Sequence, residues 1–213
     1  MRTIIYLFFS LFIAVSVEAQ RVSSFFIIMP DELLPQIETN RRKDMIDLFQ
    51  HSQKGGITNS LGGKSDVTAL SDNYISVGLS SSSTMQIKLL PLKGKEETVI
   101  AVVNTVCAPA CDSRIDFYDT NWKPLDRKDF IILPDNRDFL SDNEKSNENA
   151  NEMVQRVDIS LMRYDFCEGN DNLQITYTID EYMPEEMYKQ IKPYLRDSSL
   201  EYVWDGNHFK KEK

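Results

Sequence analysis

Ile75-Ser76-Val77-Gly78-Leu79, Met85-Gln86-Ile87-Lys88-Leu89 and Val99-Ile100-Ala101-Val102-Val103 are the stretches whose reading decides the fold. In the first two, apolar residues alternate with Ser76, Gly78, Gln86 and Lys88. Successive side chains of a strand point to opposite faces, so this alternation predicts strands buried on one face. The serines from Ser80 to Ser83 turn the chain between them, which predicts an antiparallel hairpin. The third stretch is apolar at every position. Both its faces need cover, so it is predicted as a central strand.

Working outward, more strand patterns follow. Ile115, Phe117 and Tyr118 form one, and Phe130 to Leu133 another short apolar run. Val157, Ile159 and Leu161 alternate with Asp158 and Ser160; Leu173, Ile175, Tyr177 and Ile179 alternate with Gln174, Thr176 and Thr178. The polar run Glu168 to Asn172 joins these two as a hairpin turn. Leu200 to Trp204 reads as a last strand before a frayed charged tail, Lys210 to Lys213. At the other end, Phe25 to Ile28 reads as a strand-like start. Pro30 with Asp31 and Glu32 is a helix-start signal, because proline lacks a donor where none is needed and acids suit the positive helix end. Pro35 shortens that helix. Asn40 can cap a second, Arg41 to Phe49, and a C-terminal helix runs from Pro184 to about Leu195. The expected fold is α+β: a mainly antiparallel sheet of about six to eight strands, with N-terminal and C-terminal helices packed on it.

The chain has 213 residues and a net charge of −9. It opens with Arg2, an apolar run from Ile4 to Val17, and small residues up to Ala19, the three parts of a secretory signal. The run is shorter than the roughly 20 residues of a membrane span. Residues 1–19 are therefore expected to be cleaved after Ala19, leaving an exported protein, periplasmic or secreted, with no transmembrane span in the mature chain. Residues 20–213 suit a single α+β domain, divisible into two lobes at a flexible acidic connector, 135–152. Residues 52–66 read as a glycine-rich loop. The acidic balance repels phosphate backbones, which argues against nucleic acid as a partner.

The chemistry-bearing residues form no known motif. Gly63-Lys64-Ser65 lacks the first glycine of a phosphate loop, since Thr58 stands there. His51 and His208 are far apart, and neither lies in a catalytic context. Catalytic, cofactor-binding and metal residues are therefore expected to be none, and no cofactor is expected. Cys107 and Cys111 are the candidate disulfide, closing a hairpin tip in an oxidising compartment; free thiols are the alternative, given the odd count with Cys167. Paired carboxylates could serve a glycosidase-like hydrolase, with Asp66, Asp72, Asp116, Asp119, Asp158 and Asp165 as candidates. Solvated surface acids are the bland alternative. Tyr118, Trp122, Tyr164, Tyr182, Tyr188, Tyr202 and Trp204 could line a peptide or glycan groove, or simply pack. Met29 to Ile37 echoes Met183 to Ile191 at five of nine positions, which is either a duplication or convergence on a good helix start.

Phe26-Ile27-Ile28-Met29-Pro30-Asp31-Glu32-Leu33-Leu34-Pro35 and Asn40-Arg41-Arg42-Lys43-Asp44-Met45-Ile46-Asp47 resemble an uncharacterised family of exported Bacteroidales proteins, domain of unknown function 3256. Leu61 to Asp66, Thr68 to Tyr74 and Ser83 to Pro91 look like that family too. The resemblance implies a gut-type Bacteroidales host and an exported product, and it supplies no reaction or ligand. The functional expectation is a non-enzymatic binding or assembly module of the cell envelope, its partner an unknown envelope protein or glycan. The alternative is a carboxylate-based hydrolase acting on envelope or glycan substrates.

Overall fold

The computed structural model describes residues 21–53 and 55–212. The export-signal reading falls on residues 1–19 and lies outside them. Among the described residues, no helix is long and apolar enough to cross a membrane.

The three deciding stretches lie side by side. They belong to a seven-stranded meander: β1 (Ile57–Thr58), β2 (Lys64–Leu70), β3 (Tyr74–Gly78), β4 (Ser83–Pro91), β5 (Thr98–Cys107), β6 (Cys111–Tyr118) and β7 (Pro124–Leu125). Every strand pairs antiparallel with its sequence neighbour, β4 with β5 from Ser83↔Val106 to Pro91↔Thr98. Both edges are two-residue strands, which offer little backbone to a foreign chain.

Two different layers cover this sheet. On one face, Ile75, Val77, Met85, Ile87, Ile100 and Val102 pack against helices α1 (Val22–Ile28) and α2 (Thr39–Gln50). On the other, Val99, Ala101, Val103, Ile115 and Phe117 pack against a second antiparallel sheet: β8 (Met162–Phe166), β9 (Leu173–Tyr177), β10 (Leu200–Trp204) and β11 (Phe209–Lys211), in the order β11-β10-β9-β8. The α+β class with a main antiparallel sheet is thus observed, as three layers rather than two.

The helix placement needs correcting at the C-terminal end. Helices α1 and α2 do cover the main sheet. Helix α4 (Glu185–Ile191) instead joins α3 (Glu148–Gln155) in a small cluster of its own, built on Leu140, Ala150, Val154 and Ile191. One face of the main sheet is covered by α1 and α2 and the other by the second sheet, so α4 packs on neither.

Smaller differences have local causes. Phe25 to Ile28 is helical, because Val22, Phe25, Phe26 and Met29 follow helical spacing and are buried together. Pro30 starts only a one-turn 3-10 helix, Asp31–Leu33. Pro35 has no N–H to give the Asp31 carbonyl, whereas Lys189 in the echoed segment has one and α4 runs on to Ile191. The expected strands at 130–133 and 157–161 are irregular backbone. Asn136 Nδ2 donates to the Val157 and Ile159 carbonyls, taking the place of a strand partner. The acidic segment 135–152 carries regular structure: Asp135 and Asp138 form a capping box around the 3-10 helix Asn136–Phe139, α3 follows, and Phe139 and Leu140 are buried. The tail residues Lys210 and Lys211 pair with β10 instead of fraying.

The two sheets are stitched by side chains. Ser113 Oγ accepts from the Tyr164 amide at 3.0 Å, and Gln86 Oε1 from the Phe166 amide at 2.9 Å. Gln86 Nε2 in turn donates to Asp165 Oδ1 at 2.9 Å. These bonds satisfy the outer edge of β8, which has no strand partner on that side among the described residues. Thr178 Oγ1 donates to the Cys111 carbonyl at 2.6 Å and Trp204 Nε1 to the Pro91 carbonyl at 2.8 Å.

Replacing Gln86 by Ala strands the buried Phe166 amide, and urea denaturation is expected to show a loss of about 1–3 kcal/mol. Tyr177 behaves in the opposite sense. Its ring stacks on Phe139 at 4.8 Å, but its hydroxyl is buried without a partner, and burial pushes its pKa up to about 12. The unfolded phenol ionises first, near pH 10, so stability is full below about pH 10 and falls as pH rises toward 12. Tyr177→Phe is expected to raise stability at neutral pH by about 1 kcal/mol and to lessen the alkaline loss, read as urea midpoints across pH 8 to about 12.

Candidate functional site

Helix α2 buries Met45 and Ile46 against the sheet, while one turn on Leu48 and Phe49 reach its rim. The helix ends at His51, whose Nδ1 lies 2.7 Å from the Asp47 carbonyl. Ser52 then takes a positive φ of 54°, and the chain doubles back through Gly55 and Gly56. Gly56 has φ 57°, and a Cβ there would come within 2.4 Å of the Ser65 carbonyl oxygen. Only glycine lets the returning chain lie this close to β2.

Two adjoining clefts flank this return. One, of about 480 Å³, has an apolar wall of Met45, Leu48, Phe49 and Val67, with Asp66 its charged residue among the described residues. The other, of about 500 Å³, is lined by Arg41, Asp44, Asp47 and His51. Leu48, Gln53 and Gly56 belong to both. Together they make a groove with an apolar floor and, among the described residues, a mainly acidic margin. That composition suits a ligand that inserts an aliphatic or aromatic group and carries positive charge beside it.

Two buried cations flank the core. Arg42 donates from Nη2 to Asp31 Oδ1 at 2.5 Å and to Thr39 Oγ1 at 2.8 Å, tying α2 to the preceding 3-10 turn. Its Nε and Nη1 are buried without partners, and burial lowers its pKa against an opposing pull from Asp31. Lys88 lies between the two sheets with its side chain fully buried. Its Nζ reaches the Cys167 carbonyl at 3.1 Å, the Glu168 carbonyl and Asn73 Oδ1 each at 3.4 Å, and Asp171 Oδ1 at 3.6 Å. Burial lowers the Lys88 pKa, and Asp171 opposes that shift. Burial likewise pushes the Cys167 thiol up, with Glu201 adding and Lys88 opposing.

The six acids singled out in the sequence stand in separate settings. Asp66 faces the first cleft. Asp72 pairs with Arg21 at 3.5 Å, Asp116 with Arg114 at 2.8 Å and Asp165 with Arg163 at 2.8 Å. Asp119 accepts from the Asn121 and Lys123 amides in its own turn. Asp158 is exposed and lies outside any strand. Of the aromatics, Trp122, Tyr164, Tyr202 and Trp204 are buried; Tyr118 and Tyr188 are half-buried and Tyr182 is exposed. His51 borders the second cleft, and His208 lies beside Asp205 at 3.6 Å. No group of three or more His, Cys, Asp or Glu able to hold a metal occurs among the described residues. Cys107 and Cys111 are register partners on β5 and β6 with their sulfurs 2.00 Å apart, and Cys167 is unpaired.

In the sequence, Leu48 and Phe49 fall in the expected helix Arg41 to Phe49, Gln53 to Gly56 in the expected loop, and Asp66 among the candidate acids, with nothing that joins them. A signal was present: the adjacent pairs Met45-Ile46 and Leu48-Phe49 are wider than one packing stripe needs. Lys88 and Asn73 carried no such signal, because the layer that buries them comes from residues 162–211.

The model of a family described as a protein of unknown function (DUF3256) matches residues 14–209. The chain is similar to a solved domain of an uncharacterized protein from Porphyromonas gingivalis W83, with 29% sequence identity and a TM-score of 0.77. That match covers 90% of this chain and 98% of the other. No curated protein matches the sequence.

If the cysteines are bonded as described, alkylation of the unfolded, unreduced protein is expected to label Cys167 alone. After reduction, Cys107 and Cys111 are expected to label as well, read by peptide mass spectrometry.

Proposed function

The chain belongs to the DUF3256 family of proteins of unknown function, and we propose that it works as a non-enzymatic binding module of the cell envelope, holding a segment of a partner protein. The observation that carries this reading is the groove beside α2. Its floor of Met45, Leu48, Phe49 and Val67 can take one apolar side chain out of water, which stabilises a complex by roughly 1.5–3 kcal/mol. Phe49, 37% exposed in the free chain, has apolar surface left to bury. Asp44, Asp47 and Asp66 line the groove and favour a segment with Lys or Arg beside its apolar anchor. The net charge of −9 extends that preference over the surface and speeds the approach of a basic partner. An export signal on residues 1–19 would deliver the module to the envelope.

A random peptide library panned against the mature chain tests this. Enrichment of sequences with an aliphatic or aromatic residue flanked by Lys or Arg is expected. Phe49→Glu, which puts a charge on the apolar floor, is expected to weaken those peptides at least tenfold in Kd, while Met187→Glu, on α4 and outside both clefts, leaves them unchanged. Equal enrichment on wild type and Phe49→Glu would overturn the assignment.

A further inference from the structure

An ammonium group taken out of water needs partners, and Lys88 finds an unusual set. Beside its Nζ stand a primary carboxamide, Asn73, and a carboxylate, Asp171. These two also touch each other, Asn73 Nδ2 donating to Asp171 Oδ1 at 3.2 Å. Ser71 Oγ donates to Asn73 Oδ1 at 3.4 Å. The backbone fixes the arrangement: Tyr74 and Lys88 are register partners on β3 and β4, and the Leu89 amide donates to the Asn73 carbonyl at 2.8 Å. The Tyr74 ring, 5.7 Å from Nζ, closes one side.

We propose that Lys88 and Asn73 become joined by a side-chain amide bond, with Asp171 as the proton carrier and ammonia as the leaving group. Asp171 first takes a proton from the Lys88 ammonium. Rotation of the Asn73 amide, a soft torsion, turns the face of its carbonyl to Nζ. The nitrogen lone pair then forms a bond to Cγ, and the carbonyl electron pair moves onto Oδ1, facing the Ser71 hydroxyl. Asp171 returns its proton to the amide nitrogen of Asn73. The carbonyl re-forms, the Cγ–Nδ2 bond breaks, and ammonia leaves. The extra proton on the new amide nitrogen goes to that ammonia, so the net products are one amide and one ammonium ion.

Three features favour this course. Burial lowers the Lys88 pKa and so eases the first proton transfer. Amine and amide are held in contact, which removes the entropic cost of bringing them together. The product exchanges a buried cation for a neutral amide, and Asp171, with 31% of its side chain exposed, keeps solvent contact through which ammonium can escape.

A peptide map of the mature protein decides the matter. Chymotrypsin cuts after Tyr74 and Leu79, between the two residues in sequence. The expected product is a pair of peptides containing residues 73 and 88, joined and lighter by one ammonia. Fragment ions are needed for the assignment, because an N-terminal Gln20 loses the same mass on cyclising. Asn73→Ala is expected to abolish the joined pair, and Asp171→Ala to slow its formation at least tenfold. Wild-type protein whose Lys88 remains free, cut by trypsin after residue 88 with Asn73 intact, would sink the proposal whatever the variants do. Unslowed joining in Asp171→Ala would remove Asp171 from the step.

Discussion

The middle of strands β4 and β5, Met85 to Leu90 and Val99 to Val103, has no face left for water, and the rest of the structure follows from that. Met85, Ile87, Leu89, Ile100 and Val102 point one way; Leu90, Val99, Ala101 and Val103 point the other. Apolar surface on both sides of a sheet is stable only between two covering layers. The chain supplies them in sequence order, first α1 and α2, then β8 to β11. Each layer closes a separate hydrophobic cluster, and the central sheet belongs to both.

The second layer meets the first through polar groups as well as apolar ones. Strand β8 lies at the margin of its own sheet, so its outward amides would be orphaned on burial. Gln86 and Ser113 satisfy two of them from the strands beneath. Lys88 is the deeper case, since it brings a charge into the same seam. Its bonds to the Cys167 and Glu168 carbonyls hold the β8–β9 turn down on β4. The alternation of β4 is therefore not a division between core and solvent; it divides an apolar interface from a mixed one.

The helical layer has a different margin. Helix α2 packs on β1 and β2 at the edge of the main sheet. Its last turn leaves Leu48 half-buried and Phe49 exposed, and Gly56 lets the returning chain lie against the Ser65 carbonyl. The groove lies between that turn and β2.

By itself the sequence determined most strands with clear two-residue periodicity, although the alternating run 157–161 is irregular backbone and β8 follows it at Met162–Phe166. The β3–β4 hairpin, the central place of β5, and strands β6, β9 and β10 were all legible, because alternation and turn chemistry are local signals. The short apolar run at Phe25 reads as strand-like by itself and is helical, because Val22 and Met29 extend it at helical spacing. Tertiary structure alone decided which layer covers which face. Gln86 and Lys88 read as solvent-facing on β4, and they are buried because a sheet formed some eighty residues later descends on them. The same holds for the groove and for the meeting of Asn73, Lys88 and Asp171. Periodicity reports which side of a strand differs from the other; only packing of distant segments says what each side meets.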